Sequence, residues 1–302
     1  MFSVRIHKAE KVETMLIYVR GDSLTCYRVN GLARLEEMAE RMARRAGKGE
    51  GGSPDGVDRQ STGIDDIDDI LYGGIPAGSS VLISGTSGTG KTTTCFEILS
   101  RAAAEGEPGV IFLTSETPEQ AISNMGPYEF FDEGLVSDGK LVVKDMVEIY
   151  RHLGIEHPDT GLSREDGQKL LEAIESAVEE AGAKRLAIDS LTSVLATFDN
   201  ENRLRTFMKD MVRMFHAKGI TTFLTSELTP ESVRYSTFNI EDTLADGVIL
   251  LSNIESRGDL LRSLQIIKMR GTEHSRSRYV MDLTKYGIIL VPVLKSYAKG
   301  GE

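Results

Sequence analysis

Residues 80–92 read SVLISGTSGTGKT. Residues 80–84 are a short apolar run of the kind that forms a buried strand. The next eight, Gly85-Thr86-Ser87-Gly88-Thr89-Gly90-Lys91-Thr92, fit G-x-x-x-x-G-K-[ST] at every position. Residues 91–104 then carry a helical pattern closed by Gly106. The motif lies where its chemistry needs it, between a strand and the start of a helix. Glycines let the backbone curl so that successive N–H groups point at phosphate oxygens, and the helix dipole favours an anion at that end. Lys91 is expected to reach the β and γ phosphates. Thr92 is expected to ligate Mg²⁺ through its hydroxyl, with Thr93 beside it in the nucleotide-contacting set. A chance Gly-rich turn does not explain eight matched positions in that context.

Downstream of this stretch, strands and helices alternate. Strand patterns fall at residues 109–114, 141–147, 185–189, 220–225 and 248–251, with amphipathic helices over 163–181 and 201–217. Three further strand patterns, 264–269, 279–283 and 288–293, follow one another through short links. The alternation predicts an α/β fold with a mostly parallel central sheet covered on both faces. The closing run predicts a C-terminal antiparallel extension. No repeat of 20–50 residues is visible.

A phosphate cradle needs a carboxylate to hold Mg²⁺ through water. Residues 185–189, RLAID, end an apolar strand in Asp189, which is the favoured candidate. Glu116, in the segment Thr114-Ser115-Glu116-Thr117, ends the strand after the cradle's helix. A carboxylate there can polarise an attacking water. The competing reading makes Glu116 an N-cap or surface charge ahead of Pro118. No N-K-x-D guanine-reading motif occurs, so ATP is favoured over GTP.

Upstream, residues 46–60 read AGKGEGGSPDGVDRQ, a Gly-, Ser- and charge-rich boundary. Before it, residues 14–20 and 24–30 are strand-like and flank Gly21-Asp22-Ser23. Residues 32–45 carry apolar positions at helical spacing. The expected organisation is a small ββα module at 1–46, a flexible linker at 47–60, the main domain at 61–295 and a tail at 296–302. A unit as small as 1–46 buries little core alone, so it is expected to lean on the main domain or on a protein partner.

The 302 residues hold 35 Lys and Arg against 46 Asp and Glu, a formal charge of −11. That balance speaks against a protein whose main task is to coat nucleic acid or an anionic membrane. Cys26 and Cys95 form no C-x-x-C pair, and no apolar run reaches membrane-spanning length, about 18 residues. The start, MFSVRIHKAEKVE, lacks a signal-peptide apolar core, so a cytoplasmic protein with no membrane insertion is expected.

The segments leading into and out of the cradle carry a wider pattern. Residues 62–71 (TGIDDIDDIL) and 73–78 (GGIPAG) precede it. Residues 188–193 (IDSLTS), 221–227 (TTFLTSE) and 268–275 (KMRGTEHS) follow. Together, over about residues 60–293, these resemble the KaiC branch of the RecA-like P-loop ATPases, in its single-domain archaeal and bacterial form. The resemblance implies a homo-oligomeric ring, usually a hexamer, with nucleotide held between subunits. It implies that Lys268 and Arg270 reach the γ-phosphate on the neighbouring subunit. It places Thr272, His274 and Thr284 near that same nucleotide.

Two departures bear on function. Close KaiC sequences carry two adjacent glutamates where this chain has Ser115-Glu116, which implies slow hydrolysis and leaves room for a nucleotide switch or scaffold. A Ser-Thr pair that one half of KaiC phosphorylates is matched by Asp242-Thr243, leaving Thr243 as the position open to an autokinase. A recombinase-like DNA partner would want a basic loop over 230–244. That loop sets Arg234 against Glu231, Glu241 and Asp242. Charge is uneven elsewhere too: residues 257–285 hold seven Lys and Arg against three acids.

Overall fold

The computed structural model describes residues 56–155, 158, 161–230, 232, 234–256 and 258–293, and the backbone of three strands nearer the N-terminus. Its contacts divide the chain into two units, Met1–Gly52 and Ser53–Glu302. In the first, β1 (Arg5–Ala9), β2 (Val12–Ile17) and β3 (Thr25–Tyr27) form an antiparallel sheet in that order. The expected hairpin therefore gains a third strand, with Ile6 opposite Met15 and Leu16 opposite Cys26. The helix expected over 32–45 lies outside the described residues.

The second unit opens with β4 (Arg59–Gln60), α1 (Asp65–Ile70) and β5 (Ile75–Pro76), in which β4 and β5 pair. Its main sheet has nine strands. At the centre is β6 (Ser80–Gly85), flanked by β10 (Thr221–Glu227) and β11 (Gly247–Ser256), both parallel to it. Beyond β10 come β9 (Arg185–Asp189), β7 (Gly109–Leu113) and β8 (Leu141–Asp145), again parallel. Beyond β11 come β12 (Asp259–Met269), β13 (Arg278–Thr284) and β14 (Gly287–Pro292), all antiparallel.

Side-chain alternation explains why the parallel strands look uniformly apolar. Val81, Ile83, Ile111, Ala187, Phe223 and Ile249 point into one core, packed with α1 and α2 (Lys91–Ala104). Leu82, Val110, Phe112, Leu186, Ile188 and Val248 point into a second core on the other face. That face is covered by α6 (Arg164–Glu180) and α8 (Glu201–Ala217). The antiparallel strands contribute Leu264, Ile266, Met281 and Leu290 to the first core.

Several boundaries differ from the sequence expectation. The strand expected over 141–147 stops at Asp145, whose carboxylate accepts from Val147 N and caps α5 (Met146–His152). The strands expected at 248–251 and 264–269 are the inner halves of a long ribbon, β11 and β12, whose outer halves, SNIES and DLLRS, are mostly polar. Four further helices are short. They are α3 (Pro118–Met125), α4 (Glu133–Ser137), α7 (Leu191–Ala196) and α9 (Glu241–Leu244).

Candidate nucleotide-binding site

The loop from Gly85 to Gly90 joins β6 to α2. Gly90 caps the helix at φ +98°, a left-handed conformation that favours glycine. A Cβ at Gly85 would meet Leu251 O at 2.5 Å and Thr89 Oγ1 at 2.7 Å, so the strand end needs glycine for close approach. Lys91 folds back over this loop. Its Nζ donates to Gly85 O at 2.9 Å and Thr86 O at 3.0 Å. Burial lowers the Lys91 pKa, while the negative charges of Glu227 and Asp189 push it back up.

Asp189 stands at the C-terminal end of β9, beside Leu113 of β7 and within hydrogen-bond reach of Thr92 in the first turn of α2. Its two carboxylate oxygens accept from two hydroxyls, Thr92 Oγ1 and Thr225 Oγ1, each at 2.5 Å. The backbone is fixed as well: Thr114 N donates to Asp189 O at 2.8 Å, and Ser190 N to Thr114 Oγ1 at 2.9 Å. A threonine hydroxyl and one carboxylate side by side at a phosphate cradle suit Mg²⁺, a hard cation that keeps waters and takes phosphate oxygens. No cluster of three or more His, Cys, Asp or Glu suited to a metal occurs among the described residues.

Glu116 lines the same cavity, of about 360 Å³, together with Ser87, Lys91, Thr92 and Asp189. Asn124 Nδ2 donates to Glu116 Oε2 at 3.0 Å and orients the carboxylate. The N-cap of α3 is Thr117, which forms a capping box with Gln120, so Glu116 is not used as a cap. Ser115 lines the cavity beside it.

Five lining residues escaped the sequence reading as site residues: Leu113, Tyr128, Glu227, Arg262 and Leu283. Arg262 Nε donates to Gly88 O at 3.1 Å across 174 positions of sequence. Glu227 ends a segment already singled out, and that position was its one available signal.

Lys268 and Arg270 lie elsewhere. Lys268 is opposite Val248, which is level with Leu82, so it sits toward the start of β6 and away from Gly85. Lys268 Nζ donates to Asp242 O at 2.7 Å, and Arg270 Nη2 to Thr243 O at 2.8 Å. Thr272 and His274 make contacts within their own loop, to Glu273 O and Ser275 O. Thr284 Oγ1 donates to Gly287 O at 2.9 Å and shapes the β13–β14 turn. Within one chain, then, Lys91, Thr92, Asp189 and Glu116 converge, while Lys268, Arg270, Thr272 and His274 stay apart from them.

Comparison with known proteins agrees with this architecture. A family model described as "ATPase: KaiC" matches residues 60–295, and the chain belongs to the KaiC ATPase family. A UPF0273 protein of Aeropyrum pernix is 36% identical over 244 residues, covering 78% of this chain and 94% of its own length. The circadian clock oscillator protein KaiC of Synechococcus elongatus is 33% identical over 242 residues, 78% of this chain. The match spans only 45% of that protein's length. A crystal structure of a KaiC-like protein from Pyrococcus horikoshii superposes with a TM-score of 0.67 at 30% identity, covering 78% of this chain and 100% of that one. The matched region is an ATP-binding KaiC-type domain on a RecA-like fold. Among the described residues no helix is long and apolar enough to cross a membrane.

Proposed function

We propose that this protein binds Mg-ATP between the subunits of a homo-oligomeric ring and hydrolyses it slowly, in a regulatory role. The observation that carries the reading is the convergence of Lys91, Thr92, Asp189 and Glu116 on one open cavity at the end of β6. Lys91 would exchange the Gly85 and Thr86 carbonyls for phosphate oxygens, moving its charge from backbone dipoles to an anion. Thr92 and Asp189 would hold Mg²⁺, which neutralises phosphate charge. Glu116, held by Asn124, would orient a water in line with the γ-phosphate and take its proton. Lys268 and Arg270 of the neighbouring subunit would stabilise charge on the transferring group. Thr272, His274 and Thr284 of that subunit would line the same nucleotide. The hexamer, a cytoplasmic setting and a protein partner for the N-terminal module belong to this proposal.

The test is steady-state Mg-ATP hydrolysis by the full chain and by Glu116→Gln. Loss of the base should lower kcat by about 10²-fold or more, with nucleotide affinity retained. No turnover above that variant would favour a second reading, a switch or scaffold that binds ATP without cycling. Ser115 supports that alternative, because the cavity holds serine where a second glutamate would stand. Autophosphorylation at Thr243, which is exposed, is tested by intact mass after incubation with ATP.

A further inference from the structure

Lys268 lies near the end of β12 and Arg270 just past it, and both side chains reach the same segment, Asp242–Leu244. Like charges so placed repel, and something must hold them side by side. The structure does so from one short segment. Lys268 Nζ takes Asp242 O, and Arg270 takes Thr243 O at 2.8 Å and Leu244 O at 3.5 Å. These belong to the last turn of α9, where carbonyls lack partners within the helix. A carboxylate completes the set: Asp246 Oδ1 lies 3.4 Å from Arg270 Nη1.

Asp246 is tied on its other side to the start of β6. Its Oδ2 accepts from Ser80 N at 3.0 Å and Ser80 Oγ at 2.9 Å, and its own N donates to Ser80 O at 2.8 Å. Arg270 N in turn donates to Asp246 O at 2.9 Å. A single residue therefore links the guanidinium to the first residue of the strand whose last residue opens the phosphate cradle. The two ends of β6 are about 17 Å apart. The Arg270 side chain remains 55% exposed, so it is held in direction without being covered.

We propose that Asp246 is a positioning residue. It holds the half-exposed Arg270 guanidinium at the surface of its own chain, ready for nucleotide on a neighbouring subunit, and it anchors that arginine to the strand that carries its own subunit's cradle. The inference rests on the reading of Arg270 as a residue acting across subunits. An exposed arginine samples many rotamers, and fixing one before a partner arrives lowers the entropy lost on contact. The 3.4 Å approach to Asp246 is long for a hydrogen bond, which leaves Arg270 able to exchange it for a phosphate oxygen.

The test uses the full chain, with Mg-ATP turnover, KM and assembly mass measured on the same samples. Asp246→Asn keeps an acceptor for Ser80 and removes the charge facing Arg270. It should lower kcat about tenfold, leave KM and assembly mass unchanged, and add nothing further in an Arg270→Ala background. Asp246→Glu should recover part of the loss. Ser80→Ala, which removes only the hydroxyl bond on the β6 side, should keep kcat near wild type. If Ser80→Ala falls as far as Asp246→Asn, Asp246 acts by bracing β6 and the inference is overturned. It is overturned equally if Asp246→Asn turns over at the wild-type rate while Arg270→Ala does not. If Arg270→Ala is itself as fast as wild type, the cross-subunit reading fails first and takes this inference with it. Mixed assemblies locate the effect. Lys91→Ala subunits should restore turnover to Arg270→Ala subunits. Asp246→Asn should weaken that rescue only when carried by the Lys91→Ala partner, and the opposite asymmetry refutes the assignment.

Discussion

The Lys91 ammonium is buried against its own loop, yet it must be charged to hold a polyphosphate. Desolvation draws its pKa below the ordinary lysine value, with Glu227 and Asp189 opposing the shift. In the free protein the deprotonated fraction therefore grows as pH climbs through this lowered value, below the usual range near 10.4. A bound triphosphate favours the ammonium, so binding takes up a proton in that window and affinity falls as pH rises. Titrations with ATP between about pH 7 and 10 should display this decline. Lys91→Arg stays charged throughout and should bind more weakly with a flatter profile. Parallel profiles for the two proteins would remove Lys91 titration as the cause.

At the scale of elements, β14 illustrates how side chains finish a sheet edge. Ile288 N donates to Glu97 Oε2 at 2.9 Å and Leu290 N to Asp66 Oδ2 at 2.7 Å. Carboxylates from α2 and α1 thus occupy N–H groups that an open edge would offer to another chain. The approach is tight at Gly287, which has φ +122° and where a Cβ would lie 2.0 Å from Glu97 Oε1. Glu97 is fully buried and paired with Arg101 at 2.7 Å, so it has little room to yield. Gly287→Ala should cost about 2–4 kcal/mol in urea unfolding. Gly139→Ala, also at positive φ but with open space around it, should cost less. The two variants being equal would mean that φ, and not Glu97, sets the cost. This edge was not legible in the sequence, since Asp66, Glu97 and Ile288 meet only through topology. The parallel strands were legible because burial on both faces makes each a continuous apolar run. The outer halves of β11 and β12 were missed because they are mostly polar, which ended the apolar run. The cradle, Asp189 and Glu116 stood out because each lies at or just beyond the C-terminal end of an apolar strand. Arg262 reaches Gly88 from far along the chain, and no local pattern could have announced it.

Over the whole molecule, charge is sorted by region. A chain of formal charge −11 concentrates seven Lys and Arg against three acids between residues 257 and 285. The cavity sets Glu116, Asp189 and Glu227 against Lys91 and Arg262, and a bound triphosphate would tip that balance further negative. Two copies can lower both repulsions by setting the basic strip of one against the nucleotide of the other. Such contacts lie partly in solvent and should be screened, since the Debye length falls from about 10 Å at 0.1 M salt to about 3 Å at 1 M. Light-scattering mass should then rise with Mg-ATP at low salt and fall toward the monomer as salt is raised. Lys268→Ala/Arg270→Ala should stay small with nucleotide bound, because the double variant strips two of the seven cations from the strip. A mass indifferent to nucleotide, salt and this substitution would mean that the strip serves the chain's own fold and not its association.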